Sequence, residues 1–130
     1  MNDKIEYKPI GFIHSKYTNP QEMPKNYTES KDVEAYIELD GKYMKGISDL
    51  RIGDEYILLF HFHKSEGYDL TVPWRGVGPM RGLFSTHAPR RPNPIGVSII
   101  TVTKIEDNKI YFTGVDMLDG TPVLDIKNHN

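Results

Sequence analysis

The sequence predicts an all-β fold, a small antiparallel β-barrel with short helical turns, in a single domain over residues 1–130. Three observations predict it. The apolar runs are short and rich in β-branched residues, and the best of them alternates with polar positions, as in "GVSIITVTKI". The 9 prolines and 11 glycines recur along all 130 residues, so no stretch keeps a helical period for long. Turn signals come at close spacing, as they must where short strands are joined into a barrel. A two-sheet sandwich meets the same description and is the alternative architecture.

Tyr7 to His14 reads as the first strand. Thr18 to Lys31 is polar and holds Pro20 and Pro24, so it reads as a long loop. Val33 to Leu39 alternates as a second strand, and Asp40-Gly41 behind it is a hairpin-type turn. Tyr43 to Leu50 reads as a short helical turn ahead of Gly53. Glu55 to His63, "EYILLFHFH", is the most apolar strand, and Asp69 to Trp74 is another. After a proline-rich loop, Gly96 to Ile105 alternates, and Asp107-Asn108 turns tightly into a strand from Lys109 to Val115. Pro122 to Ile126 forms the last short strand.

No apolar run approaches the ~20 residues that cross a bilayer. Met1-Asn2-Asp3-Lys4 has no apolar core of the kind a signal peptide carries. With no cysteine, the chain has no disulfide, thiolate nucleophile or cysteine-ligated zinc. A cytoplasmic protein without a membrane partner is expected. The net charge of -2 conceals an uneven distribution. From Leu70 to Ile105 there is no Asp or Glu, while Arg75, Arg81, Arg90, Arg91 and Lys104 fall there. Such a stretch could attract phosphates even on an acidic protein, the alternative being a chance run whose charges scatter over the folded surface.

Three constellations can carry chemistry. In "RGLFSTHAPRRPNPIG" (Arg81 to Gly96) the prolines fix φ and push their predecessors towards extended geometry, which stiffens the loop. Arg90 and Arg91 can make forked contacts to phosphate or carboxylate, Asn93 suits the edge of a base, and Gly96 permits close approach. In "DMLDGTPVLDIK" (Asp116 to Lys127) a turn at Asp119-Gly120-Thr121-Pro122 sits among Asp116, Asp119 and Asp125, which could bind a cation or a ribose hydroxyl pair. In "HFHK" (His61 to Lys64) the two histidines share a face if the strand continues, and with His87 or His14 they could ligate a metal. "GVGPMRG" is one residue too long for G-x-G-x-x-G and lacks a following helix, so it does not support a Rossmann nucleotide site.

"RGLFSTHAPRRPNPIGVS", followed about twenty residues later by "DMLDGTPVLDIK", resembles the TsaA-like family, the family of the TrmO tRNA methyltransferases. "IGFIHSKY" is similar to the family's opening, "MPKN" (Met23 to Asn26) to its I-P-R-Q loop, and "FHFHK" to its strand ending in a histidine pair. The resemblance covers nearly the whole chain. It implies a small non-Rossmann barrel that uses S-adenosylmethionine to methylate N6 of threonylcarbamoyl-adenosine at position 37 of tRNA, working as a homodimer with cofactor near the subunit interface. Carried over, it assigns cofactor contacts to Pro24, Lys25 and Asn26, to His63 and Lys64, to His87 and Val97, and to Leu118, Asp119, Gly120 and Thr121. Arg90, Arg91 and Asn93 would face the tRNA substrate, and Asp119 or Asp116 would serve as the base that relieves N6 of its proton. The chain departs from the family strings at His87, in place of arginine, at Lys25-Asn26, in place of Arg-Gln, and at "DIKNHN", where the string continues Pro-Tyr. A non-catalytic nucleotide- or RNA-binding barrel and a metal-dependent barrel enzyme using His61, His63 and His87 are the alternative readings.

Overall fold

The computed structural model describes residues 3–23 and 33–129. Strands β1 (Gly11–His14), β2 (Glu34–Leu39) and β3 (Glu55–His61) are followed by a short pair, β4 (Thr71–Pro73) and β5 (Met80–Gly82). Strands β6 (Ile95–Glu106), β7 (Lys109–Thr113) and β8 (Pro122–Asn128) complete the chain. Six of them close a barrel in the order β1-β2-β7-β6-β3-β8, every pairing antiparallel. The other two, β4 and β5, form a separate two-stranded sheet.

Alternation puts the core inside. Ala35, Ile37 and Leu39 of β2, Tyr56, Leu58 and Phe60 of β3, and Ile110 and Phe112 of β7 point inward with Ile13, Ile100, Val102 and Val123. The strand β6 is long enough to serve two neighbours: Ile95–Thr101 pairs with β3, and Thr101–Glu106 pairs with β7. A register shift between Val102 and Lys104 and another on β8 opposite Leu59 and Phe60 supply the local bends that closing a six-stranded barrel requires. On the outside of β6, Ile95, Val97 and Ile99 form an exposed apolar row, flanked in register by Leu59 and Ile57 of β3.

The all-β barrel follows the sequence reading, and the sandwich alternative is not found. Several boundaries move. The first strand starts at Gly11, not Tyr7: residues 3–9 are exposed and belong to no strand. Asp40-Gly41 is not a hairpin turn: the Asp40 carboxylate accepts from the Lys42 N–H at 3.1 Å and caps a 3-10 helix over Gly41–Ile47. Since β2 lies between β1 and β7, no hairpin to β3 exists. The apolar strand stops at His61 rather than His63, and Asp69–Trp74 narrows to β4. Pro20–Glu22 is a 3-10 turn capped by Asn19, inside the segment read as a loop.

Candidate functional site

At one end of the barrel three segments meet: the end of β3, the proline-rich loop and the turn after β7. The meeting point is aromatic. Phe60 pairs in register with Gly96, and its ring packs edge-on against Phe62 with 5.2 Å between centroids. A Cβ on Gly96 would lie 2.4 Å from two atoms of the Phe60 ring and 2.9 Å from Phe62, so the glycine of "RPNPIG" exists to admit these rings. On either side of this wall lie cavities of about 390 Å³ and 270 Å³, which share Phe60, Phe62 and Asp116. The larger also reaches His87, Arg91, Val97 and Ser98, and the smaller reaches Met23, His63, Lys64, Leu118 and Thr121.

The turn from Asp116 to Thr121 is tied to the chain after β1. Ser15 Oγ donates to the Met117 carbonyl at 2.9 Å, the Ser15 N–H donates to Asp119 Oδ1 at 3.0 Å, and the Asp119 N–H donates to the Tyr17 carbonyl at 2.7 Å. Thr121 is buried and its hydroxyl donates to the Leu118 carbonyl at 2.6 Å. Gly120 takes the left-handed conformation that tightens the turn (φ 83°) and lies against His63, whose Nε2 would be 3.8 Å from an added Cβ.

The proline-rich loop owes its stiffness to its arginines as well as its prolines. Arg91 Nη1 donates to the carbonyls of Thr86 (2.9 Å) and Ala88 (3.0 Å), closing the loop on itself. Arg90 Nε donates to the Glu66 carbonyl at 3.0 Å and binds the loop to the segment after β3. The Phe62 N–H donates to the Pro94 carbonyl at 2.8 Å.

Two groups in the site have displaced acidities. Asp116 opens to solvent through the cavities it lines, yet enough protein surrounds its carboxyl for desolvation to raise its pKa above the ordinary aspartate value. Ser98 Oγ, 2.8 and 2.9 Å from the two carboxylate oxygens, acts in the opposite direction. His63 is pushed below the ordinary histidine value, first by desolvation and then by the charges of Lys64 and His61, against the pull of Asp119. A carboxylate with raised basicity and a neutral imidazole suit proton acceptance and hydrogen bonding near pH 7.

The structure therefore brings His63, Lys64, His87, Val97, Leu118 and Thr121 to the paired cavities, with Asp119 and Gly120 on the turn at their edge. Pro24, Lys25 and Asn26 lie outside the described residues. Asn93 faces elsewhere, lining a cavity of about 530 Å³ with Tyr7, His61 and Pro122. Asp125 stands on β8, 3.4 Å from Lys127, and is not part of the turn cluster. His61 and His63 do not share a face, because the strand ends at His61 and a turn follows. His14 stacks on Tyr36 at 4.6 Å and approaches Glu38 at 3.5 Å. Among the described residues no three His, Cys, Asp or Glu side chains are grouped as metal ligands would be, so the metal-enzyme reading finds no site there. A cavity of about 620 Å³ among Asp49, Arg51, Asp54 and His129 reaches the end of the "DMLDGTPVLDIK" segment at Ile126 and Lys127 but holds none of the candidate cofactor- or substrate-binding residues. Phe60, Phe62 and Ser98 were missed as site residues. Only the histidines of "HFHK" had drawn attention to that strand end, and a serine in an alternating strand carries no signal of its own.

The sequence model described as the tRNA-methyltransferase O N-terminal domain matches residues 12–130. The chain belongs to this family. Family members similar to it include a Pyrococcus abyssi protein named a probable S-adenosyl-L-methionine-binding protein, 38% identical over 123 residues that cover 95% of this chain and 67% of that one. The mouse protein named tRNA (adenine(37)-N6)-methyltransferase is 35% identical over 127 residues, covering 92% of this chain and 30% of the mouse protein. The crystal structure of TrmO from Pseudomonas aeruginosa superposes with a TM-score of 0.79 at 29% identity and covers 98% of this chain. This chain spans 56% of that TrmO chain, so the match is to one part of a longer protein. The likeness supports the barrel as the family's own fold.

Proposed function

We propose that this chain, acting as one domain, binds S-adenosylmethionine in the paired cavities and methylates N6 of adenine 37 of tRNA, with threonylcarbamoyl-adenosine as the form of the base it takes. The observation that carries this reading is the convergence of three segments, distant in sequence, on the wall of Phe60, Phe62 and Asp116. The names of the Pyrococcus and mouse relatives support the cofactor and the reaction.

The residues fit the cofactor. Phe60, Phe62, Met23 and Leu118 offer apolar surface to a purine, Lys64 offers a cation to a carboxylate, and Asp116 offers an anion to a sulfonium. Pro24, Lys25 and Asn26, which follow Met23, complete the contacts in this reading. S-adenosylmethionine supplies an electrophilic methyl carbon on a cationic sulfur. Asp116 accepts the proton that N6 gives up, since it borders both cavities and its basicity is raised. Ser98 holds that carboxylate in place. Asp119, whose Oδ1 is committed to the Ser15 N–H, fixes the turn instead and is the lesser candidate. Arg90, Arg91 and Asn93 present the loop to tRNA.

Two copies pair in this proposal through the apolar row of Ile95, Val97 and Ile99. Val97 belongs to that row and to the larger cavity, which would put the cofactor close to the partner. Among the described residues no helix is long and apolar enough to cross a membrane, and the cytoplasm, where tRNA is found, is the proposed location.

The test is calorimetric titration with S-adenosylmethionine, followed by transfer of labelled methyl to tRNA with and without the threonylcarbamoyl group. Saturable binding and transfer to the modified tRNA alone are expected. Binding without transfer to either tRNA would replace the enzyme by a nucleotide-binding module. Light scattering reads the dimer.

A further inference from the structure

Within the excursion between β3 and β6, the hairpin from Leu70 to Ser85 is the part that the cofactor reading leaves unexplained. Its β4–β5 ladder belongs to a sheet of its own, closed at the base by the Leu83 N–H donating to the Leu70 carbonyl at 2.8 Å. Leu83 is buried there, while its neighbour Phe84 is 73% exposed. At the tip, Val77 is 93% exposed and Met80 64%. Soluble surfaces rarely gather so much apolar area without a use for it.

The charges around this surface are uncompensated. The Arg81 guanidinium lies 3.9 Å from the centre of the Trp74 ring and that of Arg75 5.3 Å, while Arg91 lies 5.9 Å from the Phe84 ring. Among the described residues every ion pair is made by lysine or histidine and none by arginine. Lys104, the other base of the acid-free stretch, is paired with Glu106 at 3.1 Å and stands apart from the arginines. Arg75 is also held at φ 53°, a left-handed conformation that costs a non-glycine residue about 1 kcal/mol or more. An exposed ring, Phe84, beside guanidiniums that lack carboxylates calls for a ligand carrying π-faces and anions together. A single-stranded RNA loop is such a ligand, stacking bases on aromatic rings and passing its phosphates along arginines. A protein partner would have to bring a carboxylate for each guanidinium it desolvated.

From this we infer that the Leu70–Ser85 hairpin is an RNA-gripping arm. The exposed ring of Phe84 receives an unpaired base, and Arg75 and Arg81, splayed over Trp74, receive the flanking phosphates. The inference rests on the proposed action on tRNA and adds where the RNA is held.

The experiment measures binding of a fluorescent anticodon stem-loop RNA by anisotropy over a series of salt concentrations, with S-adenosylmethionine affinity and oligomeric mass read on the same samples. Phe84→Ala should weaken RNA binding by about 5- to 150-fold, the range of one lost base stack, with an unchanged salt slope. Arg81→Gln should lower the slope of log K against log salt by about 0.7–0.9, one phosphate contact. Both variants should bind S-adenosylmethionine as the parent does. Parent-like RNA affinity and slope in both variants, with RNA bound by the parent, would overturn the arm and leave the tRNA reading standing. Loss of dimer mass in the variants without loss of RNA affinity would overturn it in favour of an arm that holds a second copy. A parent that binds no RNA would overturn both readings together.

Discussion

Replacing Gly96 with alanine tests the wall on which the two cavities rest. The added methyl carbon would lie 2.4 Å from Phe60 Cε2 and Cζ, where carbon atoms in contact prefer about 3.5–4.0 Å. The ring has to retreat by about 1 Å, and Phe60 is already buried among Leu58, Ile100 and Val123 of the core. Overpacking of this kind costs about 1–3 kcal/mol. For a chain of 130 residues that lowers the melting temperature by about 4–12 °C. If the ring escapes outward instead, it enters the cavities, and the loss appears as weaker S-adenosylmethionine binding. Thermal and urea melts with calorimetric titration separate the two. Phe60→Leu removes the two nearest ring atoms and leaves Phe62 Cζ at 2.9 Å, so Gly96→Ala in that background should cost less than it does in the parent, the difference measuring the Phe60 contact. A Gly96→Ala chain that melts and binds as the parent does would refute the close-approach argument, as would costs that add in the double variant.

Other consequences concern the same end of the barrel. His63 should titrate below its ordinary 6.5 in a nuclear magnetic resonance experiment, and Asp119→Asn should lower it further by removing the charge that raises it. Because the unfolded chain takes that proton more readily than the folded one, His63 subtracts stability as pH falls through 6.5 and leaves it intact above, which pH-dependent denaturant melts with His63→Gln can read. Asp116 has the opposite shift for an acid: its raised pKa means that ionisation opposes folding. Asp116→Asn should therefore stabilise the chain at pH 7, with the gain shrinking as pH is lowered toward 3.8, while methyl transfer is lost. Thr121→Val removes the donor to the Leu118 carbonyl in a buried turn and should cost about 1–2 kcal/mol in urea melts.

How much of this was legible in the sequence depends on whether the signal was local. Strands that alternate, such as Ala35-Ile37-Leu39 against Glu34 and Glu38, announce themselves. Asp40-Gly41 misleads because a hairpin turn and a helix cap ask for the same residues. The spacing of Tyr43, Met44 and Ile47 on the far side is what decides for the 3-10 helix. Met80–Gly82 has no alternation to read, since all three residues are exposed. Pairing order has no local signal at all: nothing near β2 says that β7, more than sixty residues on, will be its neighbour. The motif loops were legible as stiff and polar, but the partners that make them a site were not. The arginines of "PRRPNP" look like ligand contacts in the sequence, whereas their first partners are the carbonyls of Glu66, Thr86 and Ala88.

The distribution of local conflict separates the working end of the molecule from the rest. Several lysines of the barrel have carboxylate partners: Lys104 has Glu106, Lys127 has Asp125 and Lys42 has Asp40. At the end built from "HFHK", the proline-rich loop and the 116–121 turn, each rule is broken once. Desolvation raises the pKa of Asp116 and lowers that of His63 there, and the arginines of the Leu70–Ser85 hairpin make no ion pair among the described residues. A sequence selected for stability alone would remove each of these defects by a single substitution. The two displaced acidities, of Asp116 and His63, fall where the motif segments converge, and that is the physical reason to propose the cofactor there.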